Sequence, residues 1–132
     1  MTGDTTRLRR YITDESGNCC ETDIEARLED LNSLVGSIPE EYATDLTALK
    51  TLGNETRYRI IRLLAAADDE LCVCEITPLF EVSESAVSHA LSDLTDSGLL
   101  TRRKEGKWRH YRTTARAERL VEALDETRED DE

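Results

Sequence analysis

The chain has 132 residues, of which 35% are charged, and its formal net charge is -12. A chain of this length fits a single domain with one modest core. The acidic balance excludes a generally basic surface for nucleic acid, so any such contact has to come from a local patch. No apolar run approaches the roughly 20 residues that span a bilayer, and the N-terminus has no apolar signal segment. We therefore expect a cytoplasmic protein without a membrane partner, in which thiols stay reduced.

The acidic residues are spread along the whole chain, and the bases are almost all arginine, with only three lysines. We interpret this surface as an adaptation to a salt-rich cytoplasm, where bulk charge maintains solubility and is strongly screened. A protein that folds and functions best in dilute buffer would contradict this interpretation.

Residues 1–21 lack helical periodicity and predict a mobile arm that ends in Cys19-Cys20. The arm carries Arg7, Arg9 and Arg10, which we interpret as part of a solvated tail, with phosphate contact as the alternative. Residues 22–128 are expected to form the folded domain, and residues 129–132 an acidic tail that frays.

Apolar residues at helical spacing, bounded by polar caps and by glycine or proline, predict the helices of this domain. The predicted helices cover residues 22–35, 40–52, 55–67, 84–97 and 115–127. Pro78 interrupts a shorter segment, 71–80, so its helix either begins near Cys72 and kinks or begins near Pro78. Ser83 is expected to cap the helix 84–97, and Gly98 to follow its end.

Residues 99–112 change to the period of strands and predict a hairpin that turns at Glu105-Gly106. Only one acid stands in this hairpin, against the six bases Arg102, Arg103, Lys104, Lys107, Arg109 and Arg112. Trp108, His110 and Tyr111 are interleaved with them. A solvated basic hairpin is one interpretation. The other is the wing of a winged helix, because a basic hairpin that directly follows a helix-turn-helix contacts phosphates.

One face of the helix 84–97 is small and polar, with side chains at spacing i, i+3, i+4 and i+7. These side chains are Ser85, Ser88, His89 and Ser92. Hydroxyls and an imidazole can approach base edges closely in a major groove, although an ordinary solvated helix face would also be polar. Serine is a mediocre helix former, so its abundance in this helix favours the DNA-reading interpretation.

Three blocks of sequence resemble successive motifs of the ArsR/SmtB family, in matching order and spacing. They are LGNETRYRI at 52–60, ELCVCEI at 70–76 and SAVSHAL at 85–91. The resemblance covers residues 42–124 and implies a dimeric winged-helix repressor of double-stranded operator DNA. Such a protein is mainly α, with five to six helices and a two-stranded wing.

The same resemblance assigns roles to the polar helix face and to the basic hairpin. Ser85, Ser88, His89 and Ser92 would read the groove, and the wing would contribute Arg102, Arg103, Lys107 and Arg109. The chain departs from the family pattern in the acids Glu84 and Asp93, which stand beside the reading face.

Four cysteines fall into an adjacent pair, Cys19-Cys20, and a spaced pair, Cys72-x-Cys74. Thiolates are soft ligands that select soft ions. On a regular helix, residues i and i+2 point about 200° apart. Either the helix start is distorted and both spaced thiols bind one ion, or one of the two thiols does not take part. A further ligand must come from elsewhere, and the arm is the obvious source. The alternatives are small buried hydrophobes for the spaced pair and incidental thiols for the arm pair.

The resemblance implies that a metal or metalloid acts as inducer at the ELCVC block, and that DNA binding needs no cofactor. Arsenite or antimonite would bind three thiolates, whereas cadmium, lead or zinc would bind four; a thiol redox sensor is a further alternative. Thr77 stands where the commonest arsenite motif has a third cysteine. We therefore expect Cys72 and Cys74 to bind together with Cys19 and Cys20 of the arm; the alternative is that only two thiols bind. Residues 115–127 contain no histidine, which predicts no zinc site there.

Two other classes of protein compete with a repressor. A thiol enzyme such as a small arsenate reductase needs a low-pKa cysteine in an anion-binding loop or a C-x-x-C motif, and the sequence has neither. A dimeric adaptor that has lost DNA binding would be favoured by the acids near the reading face. We expect a transcriptional repressor rather than an enzyme.

Overall fold

The computed structural model describes residues 3–17 and 21–129, and the chain divides into two compact units, Met1–Tyr42 and Ala43–Glu132. Cys19, Cys20 and the last three residues of the expected acidic tail lie outside the described residues. Over the described ranges the chain forms seven α-helices and three β-strands. No helix in these ranges is long and apolar enough to cross a membrane.

The first unit contains a helix that the sequence analysis did not expect. Helix α1 spans Thr6–Ser16, and α2 spans Glu21–Val35. The Asp4 carboxylate accepts a hydrogen bond from the Thr6 N–H at 2.9 Å, which satisfies one of the free donors at the start of α1. At the other end, Gly17 takes the left-handed conformation with φ 73° that commonly ends a helix. The prediction that the arm lacks helical structure is therefore wrong.

The next two helices contribute side chains to the domain core. Helix α3 spans Tyr42–Leu52 and α4 spans Glu55–Ala67. Asn54 is the N-cap of α4, where its side chain accepts a hydrogen bond from the Arg57 N–H at 3.0 Å. The helix ends at Asp68, which has φ 55°. The prediction of a helix over 55–67 is confirmed.

A short strand and two helices follow. Strand β1 consists of Leu71–Cys72, and α5 of Val73–Ile76, extended by a 3₁₀ turn over Thr77–Leu79. Pro78 lies inside that 3₁₀ turn, so the α-helix ends before the proline. Helix α6 spans Glu84–Asp96.

Both ends of α6 form as predicted. Ser83 is the N-cap, and its side chain accepts a hydrogen bond from the Ala86 N–H at 3.0 Å. Gly98 follows with φ 79°, a conformation that costs glycine little.

The remaining elements are a hairpin and a last helix. Strands β2 (Leu100–Glu105) and β3 (Trp108–Thr113) pair antiparallel, and α7 spans Ala115–Glu129. Gly106, with φ 62°, and Lys107 form the two-residue turn between the strands. The hairpin prediction is confirmed, but β1 adds a strand that the sequence did not indicate, so the sheet order is β1-β3-β2.

One apolar core holds these elements together. Its fully buried side chains come from α4, α5, α6 and the segment before β2. They are Ile60, Ile61, Leu64, Ile76, Val87, Leu91, Leu94 and Leu99. The predicted winged helix-turn-helix architecture, mainly α with a basic hairpin, is confirmed.

The N-cap of α6 makes a measurable contribution to stability. Ser83→Ala is expected to lower the free energy of unfolding by about 1 kcal/mol, because the Ala86 N–H loses its acceptor. Urea denaturation measures this change. Ser85→Ala, in the exposed first turn of the same helix, is the control and should cost nothing. Equal losses in both variants would show that Ser83 does not cap the helix.

Candidate DNA-binding face and thiol site

Helix α6 separates its apolar and polar residues cleanly between two faces. Val87, Leu91 and Leu94 are completely buried, and Ala90 is nearly so. All four side chains of the predicted reading face are exposed: Ser85, Ser88, His89 and Ser92. The core thus fixes the rotation of α6 about its axis and turns the polar face toward solvent.

One of the acids beside the reading face is held by a base from another helix. The Asp93 carboxylate lies 3.5 Å from the Arg57 guanidinium. The Nε of Arg57 also donates a hydrogen bond to the Thr51 carbonyl at 2.7 Å, which fixes the guanidinium in place. Arg57 therefore offsets the repulsion that Asp93 would exert on a phosphate. Sequence reasoning missed this role, because 36 positions separate the two partners.

The two faces of the hairpin carry different groups of bases. Residues paired across antiparallel strands lie on the same face, and neighbours along a strand lie on opposite faces. Arg103 pairs with His110, and Thr101 with Arg112, so both arginines share one face. The other face carries Arg102, Lys104 and Arg109.

The arginines of the first face are neutralised by the acidic turn that precedes β1. The Nε of Arg103 donates hydrogen bonds to both carboxylate oxygens of Glu70, at 3.1 and 3.2 Å. Arg112 lies 2.7 Å from Asp69. The Arg103 hydrogen bonds lower the pKa of Glu70, so its carboxylate stays charged to a lower pH than usual. The sequence predicts that Arg103 contacts DNA, but in the structure its guanidinium faces Glu70.

The second face presents bases without acidic partners among the described residues. Lys104 stands directly opposite Arg109, and Arg102 lies two positions along the same strand. Like charges directly opposite each other destabilise a sheet, so this arrangement suits a surface that meets anions. Lys107, at the turn, lies over the Trp108 ring at 5.3 Å.

The spaced cysteines meet at the junction of β1 and α5. Cys72 is buried and Cys74 is exposed, and the Cys74 thiol donates a hydrogen bond to the Cys72 sulfur at 2.6 Å. This hydrogen bond raises the pKa of Cys74 above its usual range. The 200° separation expected on a regular helix does not occur, because Cys72 is extended, with ψ 149°, and only Cys74 is helical. Both sulfurs can therefore face one ligand.

Cys72 also serves as the N-cap of α5. Its sulfur accepts a hydrogen bond from the Cys74 N–H at 3.3 Å, and its own N–H donates to the Glu75 carboxylate at 2.8 Å. This is a capping box with a thiol in the usual place of a hydroxyl. A ligand that takes up the Cys72 sulfur would compete with this cap.

A shallow cleft opens beside Cys74. Its walls include Val73, Pro78 and Trp108, the last from the wing. Thr77 also lines it and donates its hydroxyl proton to the Val73 carbonyl at 2.9 Å. Within residues 3–17 and 21–129, no group of three or more His, Cys, Asp or Glu side chains could hold a metal ion. Any third thiolate would have to be Cys19 or Cys20, which lie outside these ranges.

The two histidines lie on different elements, one on the reading face of α6 and one on the first face of the hairpin. His89 is exposed on α6. His110 lies in β3, with its Nε2 3.8 Å from the Glu105 carboxylate.

Comparison with known proteins places this architecture in a family. Residues 54–102 match the family model described as bacterial regulatory protein, arsR family. A putative arsenical resistance operon repressor ArsR from Halobacterium salinarum is 50% identical over 125 residues, which cover 94% of this chain and 97% of that protein. The chain belongs to the ArsR family.

Other matches cover less of this chain. The arsenical resistance operon repressor of Escherichia coli is 46% identical over 63 residues, which cover 48% of this chain and 53% of that protein. The structure of HlyU from Vibrio cholerae N16961 superposes with a TM-score of 0.60 at 31% identity, over 68% of this chain and 97% of that one. This ArsR-family chain is thus a transcriptional repressor with a DNA-binding helix-turn-helix, and not an enzyme.

Proposed function

We propose that this ArsR-family repressor is a cytoplasmic homodimer that releases operator DNA when arsenite or antimonite binds its cysteine thiolates. The observation that carries the proposal is the contact between the Cys72 and Cys74 sulfurs, 2.6 Å apart at the start of α5. The names of its relatives, which are arsenical resistance operon repressors, support the same inducer class.

The chemistry of the inducer explains the need for thiols. Trivalent arsenic is soft and prefers sulfur ligands to oxygen. Each thiol that binds arsenous acid forms one As–S bond and breaks one As–O bond, and its proton leaves with the hydroxyl as water. Cys72 and Cys74 supply two such bonds. Cys19 and Cys20 of the same or the other protomer are proposed to supply the third.

Two surfaces support operator binding. The exposed face of α6, with Ser85, Ser88, His89 and Ser92, is proposed to enter the major groove. Arg102, Lys104 and Arg109, on the second face of the wing, are proposed to contact phosphates beside it. These contacts are expected to depend strongly on salt.

The dimer is proposed from apolar residues that the protomer leaves exposed. Leu46 and Leu49 on α3 and Leu124 on α7 are 56%, 63% and 41% exposed. Leu49 and Leu124 line one apolar groove, and a contiguous apolar surface of this kind marks an association site. A twofold dimer would then present two α6 helices to half-sites about one helical turn, roughly 34 Å, apart.

Ligation and DNA binding are proposed to oppose each other. Binding at Cys72 and Cys74 disturbs the start of α5, which leads into α6. A typical coupling of about 1–3 kcal/mol would weaken operator binding about 5–150-fold.

Fluorescence anisotropy on a duplex from the region upstream of the gene tests this function. The duplex-bound protein is titrated with arsenite, antimonite, cadmium and zinc, and the wild type is compared with Cys72→Ser, Cys74→Ser and the double variant Cys19→Ser/Cys20→Ser. Arsenite is expected to weaken DNA binding by the wild type about 5–150-fold. It should weaken DNA binding by each thiol variant much less. Thr77→Ser, which alters the same cleft without removing a thiol, is the matched control and should respond like the wild type.

The outcomes distinguish the alternatives. Equal release of the wild type and all thiol variants would show that the proposed site is wrong. Release by cadmium or zinc alone would favour a four-thiolate metal sensor, and release by an oxidant alone would favour a redox sensor. Failure to bind the duplex at any salt concentration would favour an adaptor without DNA binding.

A further inference from the structure

The thiol site is part of the wing's own sheet. Strand β1 pairs antiparallel with β3, so that Cys72 stands opposite His110 and Leu71 opposite Tyr111. His110 in turn pairs with Arg103 on β2. One row across the sheet therefore runs from a thiol to a base of the wing. A shift of Cys72 would act on β3 directly, without passing through α6.

Two ion pairs strengthen this link immediately before β1. We call residues 69–76, which include both spaced thiols, the sensing segment. Its acids Glu70 and Asp69 form ion pairs with Arg103 and Arg112, and so reach both strands of the hairpin. The Glu70 side chain is 27% exposed and the Arg103 side chain 50%, so solvent screens this pair in part. Trp108, at the end of the hairpin, lines the cleft beside Cys74. The wing thus contacts the sensing segment at both ends.

Ligation has to disturb this segment. Ligation replaces the hydrogen bond between the Cys74 and Cys72 sulfurs with two bonds to one arsenic, so the bond angles at arsenic then set how far apart the sulfurs lie. The Cys72 sulfur, which accepts the Cys74 N–H, also carries arsenic in place of its proton, so its position is then set by the arsenic as well as by the cap. Since Cys72 belongs to β1 as well as to the cap of α5, both changes act on the strand that adjoins the wing.

We propose that Glu70 and Asp69 are positioning residues that couple thiol occupancy to the wing. When β1 shifts on ligation, the ion pairs carry Arg103 and Arg112 with it, and the phosphate-facing side of the hairpin turns away from DNA. Thiol occupancy then affects DNA binding by two routes, one through α6 and one through the wing. This role rests on the proposed function, and it extends that function to residues that touch neither inducer nor DNA.

Glu70→Gln tests the coupling, since it removes the charge but keeps the size of the side chain. The factor by which arsenite weakens DNA binding is expected to be about 2–30-fold smaller than in the wild type. This is the usual range for residues on a coupling element. Arg103, freed from its partner, becomes available to a phosphate. The slope of log K against log salt should therefore steepen by about 0.9 for each protomer. Anisotropy titrations at several salt concentrations measure both quantities.

Two further variants separate coupling from general damage. Asp45→Asn breaks an exposed ion pair to Arg116, 3.2 Å long, that joins α3 and α7 instead, and should leave release and slope unchanged. The exchange variant Glu70→Arg/Arg103→Glu restores an ion pair at the same place and should recover release. Protection of thiols from alkylation by arsenite should be the same in every variant, because the ligands are intact.

The results give a clear decision. If the wild type releases DNA with arsenite and Glu70→Gln releases it equally, the coupling role of Glu70 is overturned while the proposed function stands. The role is also overturned if Asp45→Asn weakens release as much as Glu70→Gln does. If arsenite neither protects the wild-type thiols nor releases its DNA, the proposed function itself fails, and the coupling role fails with it.

Discussion

Replacing Arg102, Lys104 and Arg109 by glutamine is expected to weaken operator binding roughly 500-fold per protomer at 0.1 M salt. These three bases share one face of the hairpin and have no acidic partner among the described residues. Each phosphate contact adds about 0.9 to the slope of log K against log salt, so three lost contacts lower it by about 2.7. A salt titration of DNA binding by anisotropy measures this slope.

The opposite face of the hairpin provides the control. Arg103→Gln and Arg112→Gln together remove two charges from the same strands, but both arginines already face carboxylates. The control should change the slope far less than the triple variant does. If each lost charge lowers the slope equally in the two variants, the two faces of the hairpin are equivalent in DNA binding.

The triple variant should also remain folded. Lys104 and Arg109 are directly opposite like charges, so their removal relieves repulsion and does not lower the free energy of unfolding. Weak binding together with an unchanged urea midpoint would assign the effect to the interface.

The helices of the second unit were predictable because local signals agree with the fold. The caps Asn54 and Ser83 precede apolar residues at helical spacing, and Gly98 follows the end of α6. The core then uses the same apolar positions that the periodicity indicated, such as Leu91 and Leu94. Tertiary packing did not have to override local preference in this part of the chain.

The elements that were missed have weak or nonlocal signals. Helix α1 is short and mostly polar, and its sequence markers are weak: Asp4, which accepts a hydrogen bond from the Thr6 N–H, and Gly17 after its end. Strand β1 has two residues, and it exists because β3, nearly forty positions later, offers hydrogen bonds to its edge. The sequence required a distorted helix start before both spaced thiols could bind one ion. Strand pairing supplies that distortion, since it keeps Cys72 out of the helix.

The candidate site was predictable in its residue types but not in its pairings. The exposure of the reading face follows from the period of α6. The pairing of Arg103 with Glu70 depends on the register of a three-stranded sheet, which composition does not encode. The participation of Cys19 and Cys20 stays a prediction, which the thiol variants test.

Leu91→Ala is expected to lower the free energy of unfolding by about 2–5 kcal/mol. Leu91 is completely buried on the inner face of α6, where the apolar core holds the helix against α4. Truncation removes apolar burial and leaves a cavity that close-packed neighbours fill only in part. Urea denaturation at fixed salt and protomer concentration measures the loss, because association would otherwise contribute to the apparent stability.

Leu79→Ala is the matched control, since Leu79 follows Pro78 and is 57% exposed. A surface truncation of this kind should change the free energy of unfolding by no more than about 0.5 kcal/mol. Equal losses in the two variants would show that the inner face of α6 is assigned wrongly, and with it the outward direction of Ser88 and Ser92. A large loss at Leu91 alone would instead mean that the core sets the rotation of α6, because a helix anchored by its apolar face has only one face left for DNA.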